Sequence, residues 1–274
     1  MQKAAIIVPI YRNFLLPDEK TSLSRLFDIA KRYPIIFVKP ESLDLSDILL
    51  KYPPFASESF SDSYFKDLVG YNGLMLSEIF YERFLDYEYI LIYQLDAYIF
   101  RDELTEWCNM GYDYVGAPWI KRDVYDLFIM RAYLFLARNL NKIFGKRDRQ
   151  QLFNKVGNGG FSLRKVKSHH NAALICRDEI AKLLPGKRHH LRNEDVFWSV
   201  YVNSYIEQPF IYPDYIEALQ FSFDIQPKYC YRLNSNRLPF GCHAWSKKKM
   251  YKFWKRFIPE HYTTTGDKSA DGNN

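Results

Sequence analysis

A short apolar run at residues 89–95 constrains the fold more than any other feature of the chain. Six of its seven residues are apolar or aromatic, and they do not alternate with polar ones. This pattern is typical of a strand that is buried on both faces of an open α/β sheet, although a buried helical segment would also fit. Asp96 follows the run, at the end of the strand where such sheets bind ligands. It is therefore a candidate to hold a cation and its phosphate, with a helix N-cap or salt bridge as the alternative.

The first forty residues predict a β-α-β unit. Ala4–Val8 and Ile35–Val38 are apolar runs, and residues 22–32 between them have helical spacing of their apolar side chains. We expect a parallel pair with a right-handed crossover. Neither a dinucleotide fingerprint nor a P-loop follows the first strand. Further along, helices are predicted at 64–85, 164–184 and 247–256, a strand at 112–116, a loop at 51–62, and short strands and loops at 210–223.

The sequence predicts one globular domain. A length of 274 residues allows one large domain or two small ones, and no internal repeat or clear linker divides the chain. With 47% hydrophobic and 26% charged residues it can bury a sizeable core. Pro9 interrupts the first apolar run after five residues, which is too short for a signal peptide, and no window is long enough to span a bilayer. Four scattered cysteines without a C-x-x-C pair predict free thiols in a reducing, cytoplasmic compartment.

Positive charge is concentrated in two stretches. Residues 121–149 carry +5 and residues 247–256 carry +6, while the chain totals +6, so the remainder is net −5. Both stretches interleave aromatic residues, and we predict a helical basic insertion at 121–151. It is either a surface helix that covers the sheet or a helix that lies on an anionic membrane. The modest total charge argues against nucleic acid as a partner. The polar segment 263–274 predicts a disordered tail.

Three later stretches carry candidate chemistry. Residues 157–160 hold three glycines, which suit a turn that approaches a ligand closely, or a plain hairpin turn. Asn193–Asp195 has the cap and the acidic first turn of a helix start. That structural explanation leaves the aromatic pair that follows at 197–198 unexplained. His243 lies in a compact loop, where a lone histidine is more often structural than a ligand.

The order of these features resembles the glycosyltransferases of the GT-A fold. The closest resemblance is to a bacterial family of glycosyltransferases found among surface-polysaccharide genes. Its hallmarks stand here as Q-x-D at 94–96, N-G-G-F-S-L at 158–163 and N-E-D-x-F-W at 193–198. The resemblance covers about residues 4–257. It implies a single α/β, GT-A-like and Rossmann-related domain at 1–262, with a mostly parallel central sheet flanked by helices.

The resemblance also implies a reaction. The enzyme would transfer a sugar, with inversion, from a nucleotide-diphosphate donor (a UDP-sugar by default) to a hydroxyl of a glycan or lipid-linked glycan. Asp195 would be the general base, with Glu194 as the alternative. Asp96 and His243 would hold Mn²⁺ or Mg²⁺ as a Lewis acid. Gln94 replaces the first acid of the family's metal motif and is a poorer ligand.

The donor is expected to lie against residues from several strand ends. This expected nucleotide-sugar set is Pro9, Tyr11, Arg12, Asn72, Gln94, Asp96, Gly159 and Gly160. Two other functions remain open. A sugar-nucleotide pyrophosphorylase should have a glycine-rich turn after the first strand, where this chain has residues 9–12. A non-catalytic carbohydrate-binding protein is favoured by Gln94. We expect a cytoplasmic protein with peripheral contact to the inner face of the membrane.

Overall fold

The computed structural model describes residues 2–144, 148–184 and 193–259. The tail predicted at 263–274 and the helix end predicted at 185–186 lie outside these residues. Within them, the chain forms nine strands and twelve α-helices. The strands are β1 Gln2–Pro9, β2 Ile35–Pro40, β3 Ala56–Phe60, β4 Tyr87–Tyr93, β5 Tyr98–Ile99, β6 Tyr114–Val115, β7 Phe161–Lys165, β8 Ser222–Phe223 and β9 Gly241–Cys242. The helices are α1 Pro17–Ile29, α2 Ser46–Lys51, α3 Leu68–Leu76, α4 Glu78–Glu82, α5 Leu104–Asn109, α6 Phe128–Ile143, α7 Val166–Ile175, α8 Arg177–Leu183, α9 Glu194–Val196, α10 Tyr215–Phe221, α11 Pro227–Leu233 and α12 Lys248–Trp254.

A six-stranded sheet in the order β3-β2-β1-β4-β7-β6 forms the centre of the fold. Strands β1 to β4 are parallel, whereas β7 runs antiparallel to β4 and β6 runs antiparallel to β7. Strand β4 is paired on both edges, and Tyr89 to Tyr93 are fully buried. This explains the uninterrupted apolar run. The predicted α/β class, with a mostly parallel sheet flanked by helices, is confirmed.

Alternate side chains of the sheet enter two separate cores. Ile6 and Leu91 pack on one face with apolar residues of α1 and α5. Ile7 and Ile92 pack on the other face with residues of α3, α4 and α7. A second sheet in the order β5-β9-β8 packs with α10 to α12 in a third core around Trp245. This smaller sheet brings the later part of the chain against the end of β4.

Two predictions of local structure were wrong. The loop expected at 51–62 contains β3, an edge strand whose Ala56 to Ser59 are only partly buried or exposed, so the usual apolar signal is missing. The short strands and loops expected at 210–223 contain helix α10. Asp214 caps it by accepting hydrogen bonds from the backbone N–H groups of Ile216 and Glu217.

The basic insertion predicted at 121–151 is helical over residues 128–143. No side chain of α6 is buried, so this helix does not cover the sheet as a surface helix usually does. All four cysteines are free and buried. None of the helices in the described part of the chain combines the length and apolarity that a bilayer crossing needs.

Candidate active site

The carboxyl end of β4 presents Asp96 as the sequence predicts. The backbone N–H of Gln94 donates to the carbonyl of Gly160 over 2.9 Å, which fixes the glycine turn to the strand end. The N–H of Ala97 then donates to the carbonyl of Gln94 over 2.8 Å and closes a tight turn. This turn leaves the Asp96 side chain 31% exposed.

His243 lies at the centre of a polar cluster beside this strand end. Its Nε2 is 3.0 Å from Asp96 Oδ1 and 3.2 Å from Gln94 Oε1. Its Nδ1 is 3.2 Å from Asp224 Oδ1 and 3.1 Å from the side-chain amide of Asn158. The small sheet creates this arrangement, because β8 ends just before Asp224 and β9 ends just before His243.

The two carboxylates favour the protonated form of His243. Burial by itself lowers the pKa of the imidazole, but attraction to Asp96 and hydrogen bonds to Asp224 and Asp96 outweigh it and raise the pKa to about 10. Burial also opposes ionisation of Asp96. Attraction to His243, their hydrogen bond and the charge of Lys247 nevertheless lower the pKa of Asp96 below its usual value.

The two predicted metal ligands are close enough together to contact one divalent ion, and their role as ligands stays a prediction. Among the described residues, no three or more His, Cys, Asp or Glu side chains converge as a metal site. Asp96 Oδ1 and His243 Nε2 are nevertheless 3.0 Å apart. Adjacent ligands of an octahedral Mg²⁺ site, each about 2.1 Å from the ion, are separated by about 3.0 Å. Such an ion would displace the proton of His243, with Asp224 orienting the ring from its other nitrogen.

The glycine turn makes room for protein side chains. A Cβ atom on Gly160 would lie 2.1 Å from His243 Nε2, and one on Gly159 would lie 1.7 Å from Glu194 Oε1. Asn158 adopts a left-handed conformation with φ of 70°, and its Oδ1 accepts from the Gly160 N–H over 2.9 Å. The approach of these glycines to a donor sugar stays a prediction.

Glu194 belongs to a buried ion pair. Its Oε1 is 3.0 Å from Arg164 Nη2, and both side chains are almost completely buried. Arg164 also donates to Tyr81 Oη over 2.9 Å and to Ser162 Oγ over 3.1 Å. Among the described residues, Glu194 Oε2 has no hydrogen-bond partner. The geometry therefore gives Glu194 a structural partner that would compete with any role as a base.

Asp195 is partly exposed, whereas Glu194 is buried. Burial, followed by the negative charge of Glu194, raises the pKa of Asp195 to about 7, although a hydrogen bond from the Val196 N–H opposes the shift. A carboxylate that titrates near neutral pH is well matched to general-base catalysis. Asp195 as the general base, with Glu194 as the alternative, stays a prediction.

Three of the expected donor residues lie at or just after the end of the first strand. Pro9 is the last residue of β1, and Tyr11 is 54% exposed. Partial burial and the charges of Glu19 and Asp96 raise the pKa of Tyr11, against the influence of Arg12. Arg12 pairs with Glu19 and stacks over Tyr11, with 5.5 Å between the guanidinium carbon and the ring centroid.

Asn72 joins α3 to the start of α9. Its Oδ1 accepts from the backbone N–H of Glu194 over 3.3 Å, and its Nδ2 donates to Asn193 Oδ1 over 3.4 Å. Both ends of this buried amide therefore contact protein. Its predicted contact with the nucleotide stays a prediction, while its visible role is to position the Asn-Glu-Asp turn.

Sequence reasoning missed two charged residues beside the end of β4. Asp224 directly follows the short apolar strand β8, just as Asp96 closely follows β4, and this pattern could have identified it. Lys247 is close enough to lower the pKa of Asp96. It lies in a run of three lysines, and the sequence offers no signal that distinguishes it from Lys248 or Lys249.

The fold is that of the GT-A type of glycosyltransferases. It is similar to apo xyloside xylosyltransferase 1 from mouse, with a TM-score of 0.50 and 12% identity over 88% of this chain and 97% of that one. It is also similar to the galactosyltransferase LgtC in complex with donor and acceptor sugar analogs, with a TM-score of 0.52 and 11% identity over 90% and 94%. Apo GlyE of Streptococcus pneumoniae TIGR4 gives a TM-score of 0.50 and 12% identity over 90% of this chain and 55% of GlyE, about half its length.

At these identities the likeness establishes the fold alone. The chain belongs to the family described as "Protein of unknown function (DUF5672)", whose model matches residues 54–243. The matched segment contains both the β4 strand end and the Asn-Glu-Asp turn, and it ends at His243. No curated protein matches the sequence.

Proposed function

We propose that this protein is an inverting, metal-assisted glycosyltransferase. It would move a sugar from a nucleotide-diphosphate donor, a UDP-sugar by default, to a hydroxyl of a glycan or lipid-linked glycan, with residues 1–262 as one catalytic domain. The observation that carries the proposal is the pairing of Asp96 and His243, which are 3.0 Å apart, in a site that also contains Asp195, whose pKa is about 7. Two adjacent glycines of one turn link these groups, since Gly159 lies against Glu194 and Gly160 lies against His243. The names of the similar structures support the reaction class.

The strand-end half of the site, which comprises Asp96, His243 and their neighbours at the end of β4, would bind the donor. Asp96 and His243 would hold Mn²⁺ or Mg²⁺, with Gln94 Oε1 beside them; a bound ion supplies Lewis-acid stabilisation of the negative charge on the departing diphosphate. Lys247 is placed to add a second positive charge against the phosphates. The exposed Tyr11 would contact the nucleoside, together with Pro9, Arg12 and Asn72.

The helix-start half of the site, which comprises Glu194 and Asp195 at the start of α9 together with Arg164, would activate the acceptor. A sugar hydroxyl is a weak nucleophile near neutral pH, so a carboxylate must accept its proton in the transition state. Asp195 fits this role because its pKa is about 7. Arg164 pairs with Glu194 over 3.0 Å and holds it in place beside Asp195. Direct attack on the anomeric carbon inverts it, so an α-linked donor would give a β-linked product.

The motifs shared with the bacterial family support a role in surface-polysaccharide synthesis. A lipid-linked acceptor would bring the reaction to the cytoplasmic face of the inner membrane. The four free, buried cysteines are compatible with that compartment. No nucleic acid takes part in this scheme.

Nucleotide release from sugar donors tests the proposal. The protein is incubated with UDP-, GDP- and CMP-sugars and Mn²⁺, and free nucleotide is measured with and without EDTA. We expect release from one donor class, its loss with EDTA or with Asp96→Ala, and normal release with Asp44→Ala, an exposed carboxylate in another loop. Release only on addition of pyrophosphate would indicate a pyrophosphorylase. Donor binding without any release would indicate a carbohydrate-binding protein.

A further inference from the structure

Helix α6 presents an apolar face to solvent. At 100° per residue, six large side chains of this helix fall within an arc of about 140°. Each of the six is between 52% and 86% exposed: Phe128, Ile129, Tyr133, Leu136, Leu140 and Ile143. Soluble proteins seldom leave so many adjoining apolar side chains uncovered unless the surface binds something.

The opposite side of α6 is basic. Arg131, Arg138 and Lys142 fall within an arc of about 40° on that side, and the helix contains no acidic residue. Met130 and Leu134 lie between the two faces and are partly buried. An apolar face with cations on the polar side is the pattern of a helix that lies in a membrane interface.

A basic cavity adjoins the start of this helix. It has a volume of about 720 Å³, and Val124, four residues before Phe128, is part of its wall. Six cations from three segments line it: Arg122, Lys228, Arg232, Lys249, Lys252 and Arg256. Asp123 is the single acidic residue of the lining, and no lining cation forms a salt bridge with a carboxylate of the described residues. Met250 and Phe253 add apolar wall.

We propose that the apolar face of α6 and this six-cation cavity form one docking surface for an anionic lipid bilayer. Lipid phosphates would enter the cavity, and the apolar side chains would lie at the headgroup and acyl boundary. The occupant must supply both dense negative charge and an apolar phase, and an anionic leaflet supplies both. A second copy of the chain could cover the helix but would bring the same six cations. Residues of the strand-end site do not line the cavity, so docking does not depend on the proposed transferase activity.

Co-sedimentation with vesicles tests this surface without any assay of activity. One set of vesicles is pure phosphatidylcholine, and the other is phosphatidylcholine and phosphatidylglycerol in equal parts. We expect the protein to bind only the anionic set. Binding should weaken when ionic strength rises from about 0.1 M to about 1 M, because the Debye length falls from ~10 Å to ~3 Å. Protein that stays in the supernatant with anionic vesicles at the lower salt would overturn the proposal.

Paired variants separate the two parts of the surface. Lys249→Ala with Lys252→Ala should weaken anionic binding by roughly 10- to 100-fold, whereas Lys20→Ala with Lys66→Ala, exposed cations elsewhere, should leave it unchanged. Ile129→Ser with Leu136→Ser should also weaken it, whereas Leu50→Ser, at a residue 85% exposed, should not. Equal loss in the control variants contradicts the assignment. A dimer of the wild-type protein that the α6 variants abolish, with vesicle binding unchanged, would assign the face to a second copy instead.

Discussion

The two halves of the candidate active site contain similar charges in different arrangements. At the strand end, one cation, His243, lies between Asp96 and Asp224, with contacts of 3.0 and 3.2 Å. At the helix start, the one cation, Arg164, pairs with Glu194 alone, and Asp195 is next to that acid along the chain. Each half therefore has two carboxylates, but only in the first does one cation, His243, lie between both acids.

This difference determines which acid can titrate. A shared cation keeps the pKa of Asp96 below its usual value, so this carboxylate is a fixed anion across the physiological range. Among the described residues no cation forms a salt bridge with Asp195, and burial together with the charge of Glu194 raises its pKa to about 7. One half is thus suited to hold a cation and the other to exchange a proton.

The largest expected effect is on the titrating acid. Asp195→Asn keeps the size of the side chain but removes the proton acceptor, so turnover should fall by about 10²- to 10⁴-fold while donor affinity is kept. The variant should fold at least as well, because the surroundings disfavour the ionised carboxylate. Steady-state kinetics, donor titration and thermal melting check this. Asp178→Asn, in the first turn of α8, is the matched control; wild-type turnover in Asp195→Asn would remove this residue as the base.

Removing the unshared cation should destabilise the fold. Arg164→Met leaves Glu194 buried without a counter-charge, and loss of one partner of a buried pair typically costs about 3–5 kcal/mol in the free energy of unfolding. Adding Glu194→Gln should recover much of that loss. Urea unfolding measures both variants. Arg177→Met, at an exposed pair with Glu78, should change stability by no more than about 1 kcal/mol. An equally small change for Arg164→Met would mean that the buried pair is not as the structure shows it.

Asp224 should act through His243. Asp224→Asn removes the carboxylate beside Nδ1, and loss of such an orienting partner typically costs about 10- to 100-fold in metal affinity or activity. We expect the Mn²⁺ concentration for half-maximal activity to rise, with the maximal rate less affected. Asp44→Asn serves as the comparison. An unchanged Mn²⁺ requirement would show that Asp224 does not support the strand-end half.

The smallest expected effect concerns pH. The base must be ionised, so kcat/KM should rise with pH up to about 7 and then level off, if Asp195 is the base. Glu194→Gln removes the neighbouring negative charge. Because this removal favours ionisation of Asp195, it should move the rising part of the pH profile to lower pH. The pH profile of each protein measures the shift. A limb that stays in place or moves to higher pH contradicts the proposed influence of Glu194.

Local patterns were enough to predict the parts of the site that lie at element ends. Strand β4 is buried on both faces, so its apolar run and the carboxylate after it were visible in the sequence. The start of α9 carries its own cap and acids. The helix at 128–143 followed from periodicity. By contrast, β3 is an edge strand with polar side chains, and its sequence resembles a loop.

The contacts between distant segments could not be predicted in the same way. Asp224 reaches His243 only because β8 and β9 are neighbours in a small sheet of two-residue strands. Arg164 meets Glu194 across 30 residues of chain. The sequence predicts this arginine only as the start of a helix, whereas the structure places it in β7. The raised pKa of Asp195 depends on its burial and the charges that this packing places around it. Pairing of distant residues, rather than local propensity, completes the site.

The neighbouring glycines 159 and 160 have a consequence for the spacing of the two halves. One glycine is in contact with Glu194 and the next with His243, where neither position has space for a methyl group. Consecutive Cα atoms are about 3.8 Å apart across a trans peptide bond, so a fixed covalent length links these two contacts. Thermal motion of the surrounding helices can change that spacing very little. Insertion of a single residue between the glycines would change the distance between the two halves of the site, whereas a surface loop could accommodate the same insertion.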